Sequence, residues 1–133
     1  MILVDTSVWI DFFSSKPLPH VNLLEKLIHN EEDVCICGIV ITEILQGIKN
    51  DKEFNKTRKL LECLVFLPMS YTTFIKSAQL YRMLRKNGIT IKRVMDCLIA
   101  TVAIENDIPI LHNDKGFVLI ESQSKLKTYR VEN

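Results

Sequence analysis

Residues 1–10 read MILVDTSVWI. Ile2 to Val4 is an unbroken apolar run, the composition of a strand buried on both faces. Asp5-Thr6-Ser7 ends the run, and such side chains accept hydrogen bonds from the first N–H groups of a helix. Ser7–Phe13 is expected to be that helix. The rest of the chain repeats this strand-then-helix order. Val34–Cys37, Leu64–Leu67, Ile108–His112 and Thr128–Val131 read as further apolar strands. Helices are expected over His20–Asn30, Ile39–Lys49, Asp51–Cys63, Ser70 to about Lys86, Lys92–Glu105 and Asp114–Glu121. Continuous apolar strands alternating with helices imply a parallel sheet covered on both faces, an α/β fold with one domain over residues 1–133. Sheets of this kind carry their ligands beyond the carboxyl ends of the strands.

Composition removes several classes. The chain has 133 residues, 47% of them hydrophobic and 25% charged, which excludes a disordered or low-complexity protein. It has four cysteines, Cys35, Cys37, Cys63 and Cys97, without the spacing of a zinc ribbon or finger. They are expected to be buried free thiols of a protein in a reducing cytosol. The start has no basic segment ahead of an apolar one, and no uncharged run approaches the roughly 18 apolar residues of a membrane span. A cytoplasmic protein without a membrane partner is expected.

The net charge of +1 hides an asymmetry. Residues 1–62 carry 7 basic and 10 acidic side chains, whereas residues 63–133 carry 10 basic and 6 acidic. No acid lies between Cys63 and Met95, a span holding Lys76, Arg82, Arg85, Lys86, Lys92 and Arg93. Such a half-chain can attract phosphate.

Four of the 16 acids stand apart from other charges. Asp5 is the only charge in MILVDTSVWI, Glu43 in GIVITEILQGI and Asp96 in VMDCLIATVAI, while Asp114 closes the uncharged IPILHN. A carboxylate in an apolar helix is costly unless something pairs with it. Within these apolar segments neither Glu43 nor Asp96 has a Lys or Arg to pair with. Asp5 and Asp114 follow predicted strands, and Glu43 and Asp96 lie early in helices, so a right-handed doubly wound sheet can bring all four to one crevice. Two carboxylates about 4 Å apart repel by about 4 kcal/mol at an effective dielectric of 20, and need protons or cations to coexist. An all-oxygen set without His or Cys suits Mg²⁺ or Mn²⁺ rather than zinc. Such ions serve phosphoryl chemistry, and the basic stretch would hold a polyanionic substrate.

These residues also carry a family resemblance. Val4-Asp5-Thr6-Ser7-Val8-Trp9-Ile10 resembles the opening motif of PIN-domain proteins. Thr42-Glu43-Ile44 with Gly47 is similar to their second motif. Arg85–Ala103, with Gly88, Ile91, Asp96, Ile99 and Ala100, is similar to their third. Ile110-Leu111-His112-Asn113-Asp114 with Phe117 resembles their fourth. The order runs almost the whole chain, and the length resembles that of the compact VapC-type toxins. The resemblance implies a three-layer α/β/α PIN-like fold with a central parallel sheet of four to five strands. It implies a Mg²⁺- or Mn²⁺-dependent endoribonuclease that cleaves RNA phosphodiester bonds with metal-activated water. It also implies a homodimer and a cognate VapB-type antitoxin. Asp5, Glu43, Asp96 and Asp114 would be the metal-binding and catalytic acids. Thr6 or Ser7 would hold an acid or a water in place. Arg85, Lys86, Lys92 and Arg93 would bind RNA. The chain departs from the pattern in the fourth motif, where many relatives have Thr-x-Asp-x-Asp-Phe. His112 replaces the Thr and Gly116 the second acid.

Two other readings compete. A PIN-like module that binds RNA or protein without chemistry would keep the scaffold but bind no metal. A phosphotransfer enzyme of the haloacid-dehalogenase kind would need a second Asp two residues after Asp5, where Ser7 stands.

Overall fold

The structure is a computed structural model and describes residues 1–129. Strand β1 (Ile2–Val4) passes through Asp5 into α1 (Thr6–Phe13). Asp5 is the N-cap, and its side chain accepts from the Ser7 N–H. After α2 (Pro19–His29) come β2 (Val34–Cys37), α3 (Gly38–Leu45), α4 (Asp51–Leu61) and β3 (Val65–Leu67). Then follow α5 (Tyr71–Lys86), α6 (Val94–Glu105), β4 (Ile110–Leu111) and α7 (Lys115–Ser122).

The four strands form one parallel sheet in the order β3-β2-β1-β4. Leu3 is paired with Cys35 on one side and Ile110 on the other. The chain therefore steps one way across the sheet from β1 to β3 and then returns over it to β4. With right-handed crossovers, α1–α4 cover one face and α5–α7 the other, the three-layer arrangement expected. β1 and β2 are buried along their whole lengths, which explains their lack of polar alternation. Trp9 is the largest fully buried side chain and anchors α1, packing on the rings of Phe12 and Phe13.

Several boundaries differ from expectation. β4 covers two residues rather than Ile108–His112, because Pro109 lacks an N–H and can only accept, taking a bond from the Leu3 N–H at 3.0 Å. β3 is an edge strand, so Val65 and Phe66 are exposed rather than buried. Helix α6 begins at Val94, not Lys92, because Arg93 is extended (φ −112°, ψ 111°) as its N-cap. Helix α3 stops at Leu45, four residues short of Lys49. Beyond α7, Thr128 makes a parallel bridge to Ile110, bounded by Ile110 N to Lys127 O and Tyr129 N to Ile110 O. The remainder of the expected last strand, through Val131, extends outside the described residues. All four cysteines are free, but Cys63 is exposed while the other three are buried. Among the described residues no helix is long and apolar enough to cross a membrane.

Candidate active site

The carboxyl ends of β1, β2 and β4 form one edge, and the isolated acids collect there. Asp5 follows β1 directly and is 1% exposed. Its Oδ2 accepts from the Ser7 N–H at 3.0 Å and the Ser7 hydroxyl at 2.7 Å. The same hydroxyl oxygen accepts from the Asn113 N–H at 3.0 Å, which ties the start of α1 to the segment after β4. Thr6 is buried, and its hydroxyl donates to Glu43 Oε1 at 3.0 Å. Glu43 thus reaches from α3 to the beginning of α1. Asp114 caps α7 by accepting from the Gly116 N–H at 2.9 Å.

Asp96 lies in the first turn of α6 and is 2% exposed. Its Oδ1 is buried with no hydrogen-bond partner. Burial pushes its pKa up to about 7, the Arg93 guanidinium pulls the other way, and Asp114, Asp5 and Glu43 raise it further. The field of all three other acids is therefore felt at Asp96. A β-carbon at position 116 would stand 2.8 Å from Asp96 Oδ2 and 3.4 Å from Asp114 Oδ1, so these two carboxylates close over Gly116. The departure of Gly116 from the family pattern gives Asp96 the space it uses.

Arg93 is the cation of this cluster. Its Nη2 donates to Glu43 Oε2, and its Nη1 lies 3.6 Å from Asp114 Oδ2. The sequence suggests no partner for Glu43, because the partner lies 50 positions away. Arg85 and Lys86 at the end of α5, and Lys92 before α6, are exposed as a phosphate-binding role requires. Arg85 lies over the Tyr81 ring.

His112 is half-buried, with its ring 5.1 Å from that of Phe117, and its Nδ1 accepts from the Asp114 N–H. Burial holds its pKa below the usual histidine value. It is a histidine at the rim of the core that shapes the turn before α7. His20, by contrast, does more than its sequence setting suggests. It is buried, and its Nε2 lies 2.7 Å from Asp11 Oδ2. His20 lies in no apolar run that would mark it, whereas Asp11, between Val8-Trp9-Ile10 and Phe12-Phe13, does carry that signal.

The oxygen donors match a hard divalent cation in chemistry, and the unpartnered Asp96 oxygen is a ready ligand. Among the described residues, however, no three acidic, imidazole or thiol groups are gathered so as to hold an ion. The Arg93 guanidinium already spans two of the four acids.

Comparisons with known proteins point one way. The PIN domain family profile matches residues 2–121. The chain is 30% identical over 129 residues to a protein named ribonuclease VapC11 from Mycobacterium tuberculosis, covering 96% of each. Among solved structures, it is similar to VapBC2 from Rickettsia felis bound to a promoter DNA fragment. That match has a TM-score of 0.76 and 24% identity over 97% of this chain and 98% of the other. It is also similar to FitAcB from Neisseria gonorrhoeae, with a TM-score of 0.75 and 23% identity over 98% and 97%. At these identities the structural likenesses speak for the fold.

Proposed function

Because the chain belongs to the PIN-domain family, we propose that it is a Mg²⁺- or Mn²⁺-dependent endoribonuclease, the toxin of a VapBC-type pair. The observation that carries this reading is the unpartnered, buried Asp96 carboxylate within the field of Asp5, Glu43 and Asp114. The similarity to a named VapC ribonuclease across almost the full length supports RNA as substrate. Its structural likeness to VapBC2 and FitAcB supports a cognate VapB-type antitoxin as partner. A cytoplasmic homodimer completes the proposal.

Asp5, Glu43, Asp96 and Asp114 would hold the ion. When bound, it would lower the pKa of water and neutralise charge building on the phosphate. The chain's own residues then have separate tasks. Ser7 fixes Asp5 through two hydrogen bonds, leaving that carboxylate a single orientation. Thr6 does the same for Glu43 between α1 and α3. The carboxylates of Asp5, Asp96 and Asp114 all lie at helix N-termini. Arg85, Lys86 and Lys92 would hold the RNA backbone beside them.

The test is cleavage of total RNA by the purified protein with Mg²⁺ or Mn²⁺. Cleavage is expected with metal, to stop in excess EDTA, and to fall by at least about a hundredfold in Asp96→Asn, given the magnitude attached to single catalytic groups. Cleavage undiminished in EDTA would overturn the reading.

A further inference from the structure

Arg93 is an unusual member of an acidic cluster. It sits at the N-cap of α6, yet its side chain makes no capping bond. Instead it reaches across the mouth of the site to Glu43 on α3 and Asp114 at the head of α7. Its side chain is 46% exposed, whereas Glu43 and Asp114 are 17% and 28% exposed. The guanidinium therefore lies on the solvent side, with the unpartnered Asp96 oxygen buried beneath the helix start.

A network built for stability would satisfy its most buried charge first, because that charge is the most expensive to leave alone. Here Asp5, the most buried acid, is held by two hydrogen bonds from Ser7, but Asp96, almost as buried, is passed over. The two better-exposed acids are paired, where an ion pair contributes only about 0–1 kcal/mol, and Asp96 Oδ1 is left without a partner. Arg93 also cannot relinquish its charge, since a guanidinium stays protonated throughout the working pH range. Its planar fork can engage two carboxylates at once, as a divalent ion would.

We infer that Arg93 is a built-in counter-ion that occupies Glu43 and Asp114 in the metal-free chain and must be released from them for a divalent cation to bind. The inference rests on the proposed role of the four acids and adds a competitor to it. Arg93 stays tethered three residues before Asp96, so its release frees a cation at the mouth of the same site.

The experiment is titration of the full-length protein with Mn²⁺, followed by electron paramagnetic resonance of the free ion. Arg93→Gln is expected to bind Mn²⁺ about fivefold more tightly than the wild type, the ratio equivalent to a partly exposed ion pair of about 1 kcal/mol. Lys92→Gln loses the same charge one residue away and is expected to stay within about twofold of the wild type, as screened long-range effects do. Equal tightening in both variants would overturn the inference in favour of a bulk charge effect. A second measurement needs no variant beyond the one that assigns the signal. In nitrogen-15 spectra of the wild type, a guanidinium signal lost or shifted in Arg93→Gln should be protected without metal and exchange faster on adding Mg²⁺. Unchanged protection would also overturn it. If the wild type binds Mn²⁺, Asp96→Asn does not, and Arg93→Gln binds no more tightly, the function stands and this inference falls. If the wild type binds no Mn²⁺, both fall together.

Discussion

Asp96 shows how a single carboxylate can work against the fold that holds it. It is 2% exposed with an oxygen that bonds to nothing, a condition that destabilises the native state by the desolvation of a charged group. Asp96→Asn should therefore melt no lower than the wild type in EDTA while losing RNA cleavage. Thermal denaturation beside the cleavage assay checks both halves, and a large drop in melting temperature would make Asp96 a structural residue. Gly116 gives a sharper version of the argument. A methyl group there would stand 2.8 Å from Asp96 Oδ2, closer than real side chains approach, so the carboxylate must turn away. The helix itself has no objection, because Ala is a better helix former than Gly. Gly116→Ala should accordingly keep its melting temperature within a few degrees and lose about ten- to a hundredfold in cleavage rate, the scale expected for a misplacement of about 1 Å.

Between elements, the site is fixed by caps and cross-links. Asp11 near the end of α1 and His20 near the start of α2 are both buried and hold the two helices together, with Lys16 3.3 Å away at the edge. The hydrogen bond to His20 is the main cause that holds the Asp11 carboxyl below its ordinary value of 3.8, with Lys16 adding to it and burial opposing. A carboxyl with a lowered folded pKa stabilises the protein above the unfolded value, and that contribution is lost as pH falls through the folded one. Asp11→Asn should thus cost about 1–2 kcal/mol at pH 5, and the gap to the wild type should close below pH 3.8. Urea unfolding of both proteins across that range is the check. This pair is invisible in the sequence, since nothing in a polar helix start says that His20 turns inward to meet Asp11. The caps are readable, because they are local: Asp5, Ser70 and Asp114 each precede a helix and each accepts from its first turn. The Glu43–Arg93 pairing is not, because it depends on how α3 and α6 meet beyond the sheet, 50 residues apart. For the same reason the sequence overextends β4: the apolar run Ile108–Leu111 records burial, whereas strand pairing is limited by Pro109.

Across the whole molecule, the near-neutral total of +1 is distributed by topology. The acid-rich first half builds β1, β2 and α1–α4 and brings Asp5 and Glu43 to the strand ends. The basic second half returns over the other face as α5 and α6, so Arg82, Arg85, Lys86 and Lys92 run toward the helix that carries Asp96. Of the cations in the acid-free span, Lys76 pairs with Glu105 and Arg93 with the cluster, while Lys86 and Lys92 are exposed. Exposed cations that meet phosphate release counter-ions, so the logarithm of the binding constant for single-stranded RNA falls with that of salt, by about 0.7 per phosphate engaged. The Asp96→Asn variant allows this to be measured without cleavage. Its RNA affinity, followed by fluorescence anisotropy, should weaken steeply with added KCl. Adding Lys86→Glu and Lys92→Glu should weaken binding at low salt and reduce the slope by about 0.7 for each phosphate no longer neutralised, or about 1.4 if both lysines engage. The melting temperature should hardly change, since neither side chain is buried. An unaltered slope would place the RNA path elsewhere and leave the charge asymmetry to solubility alone.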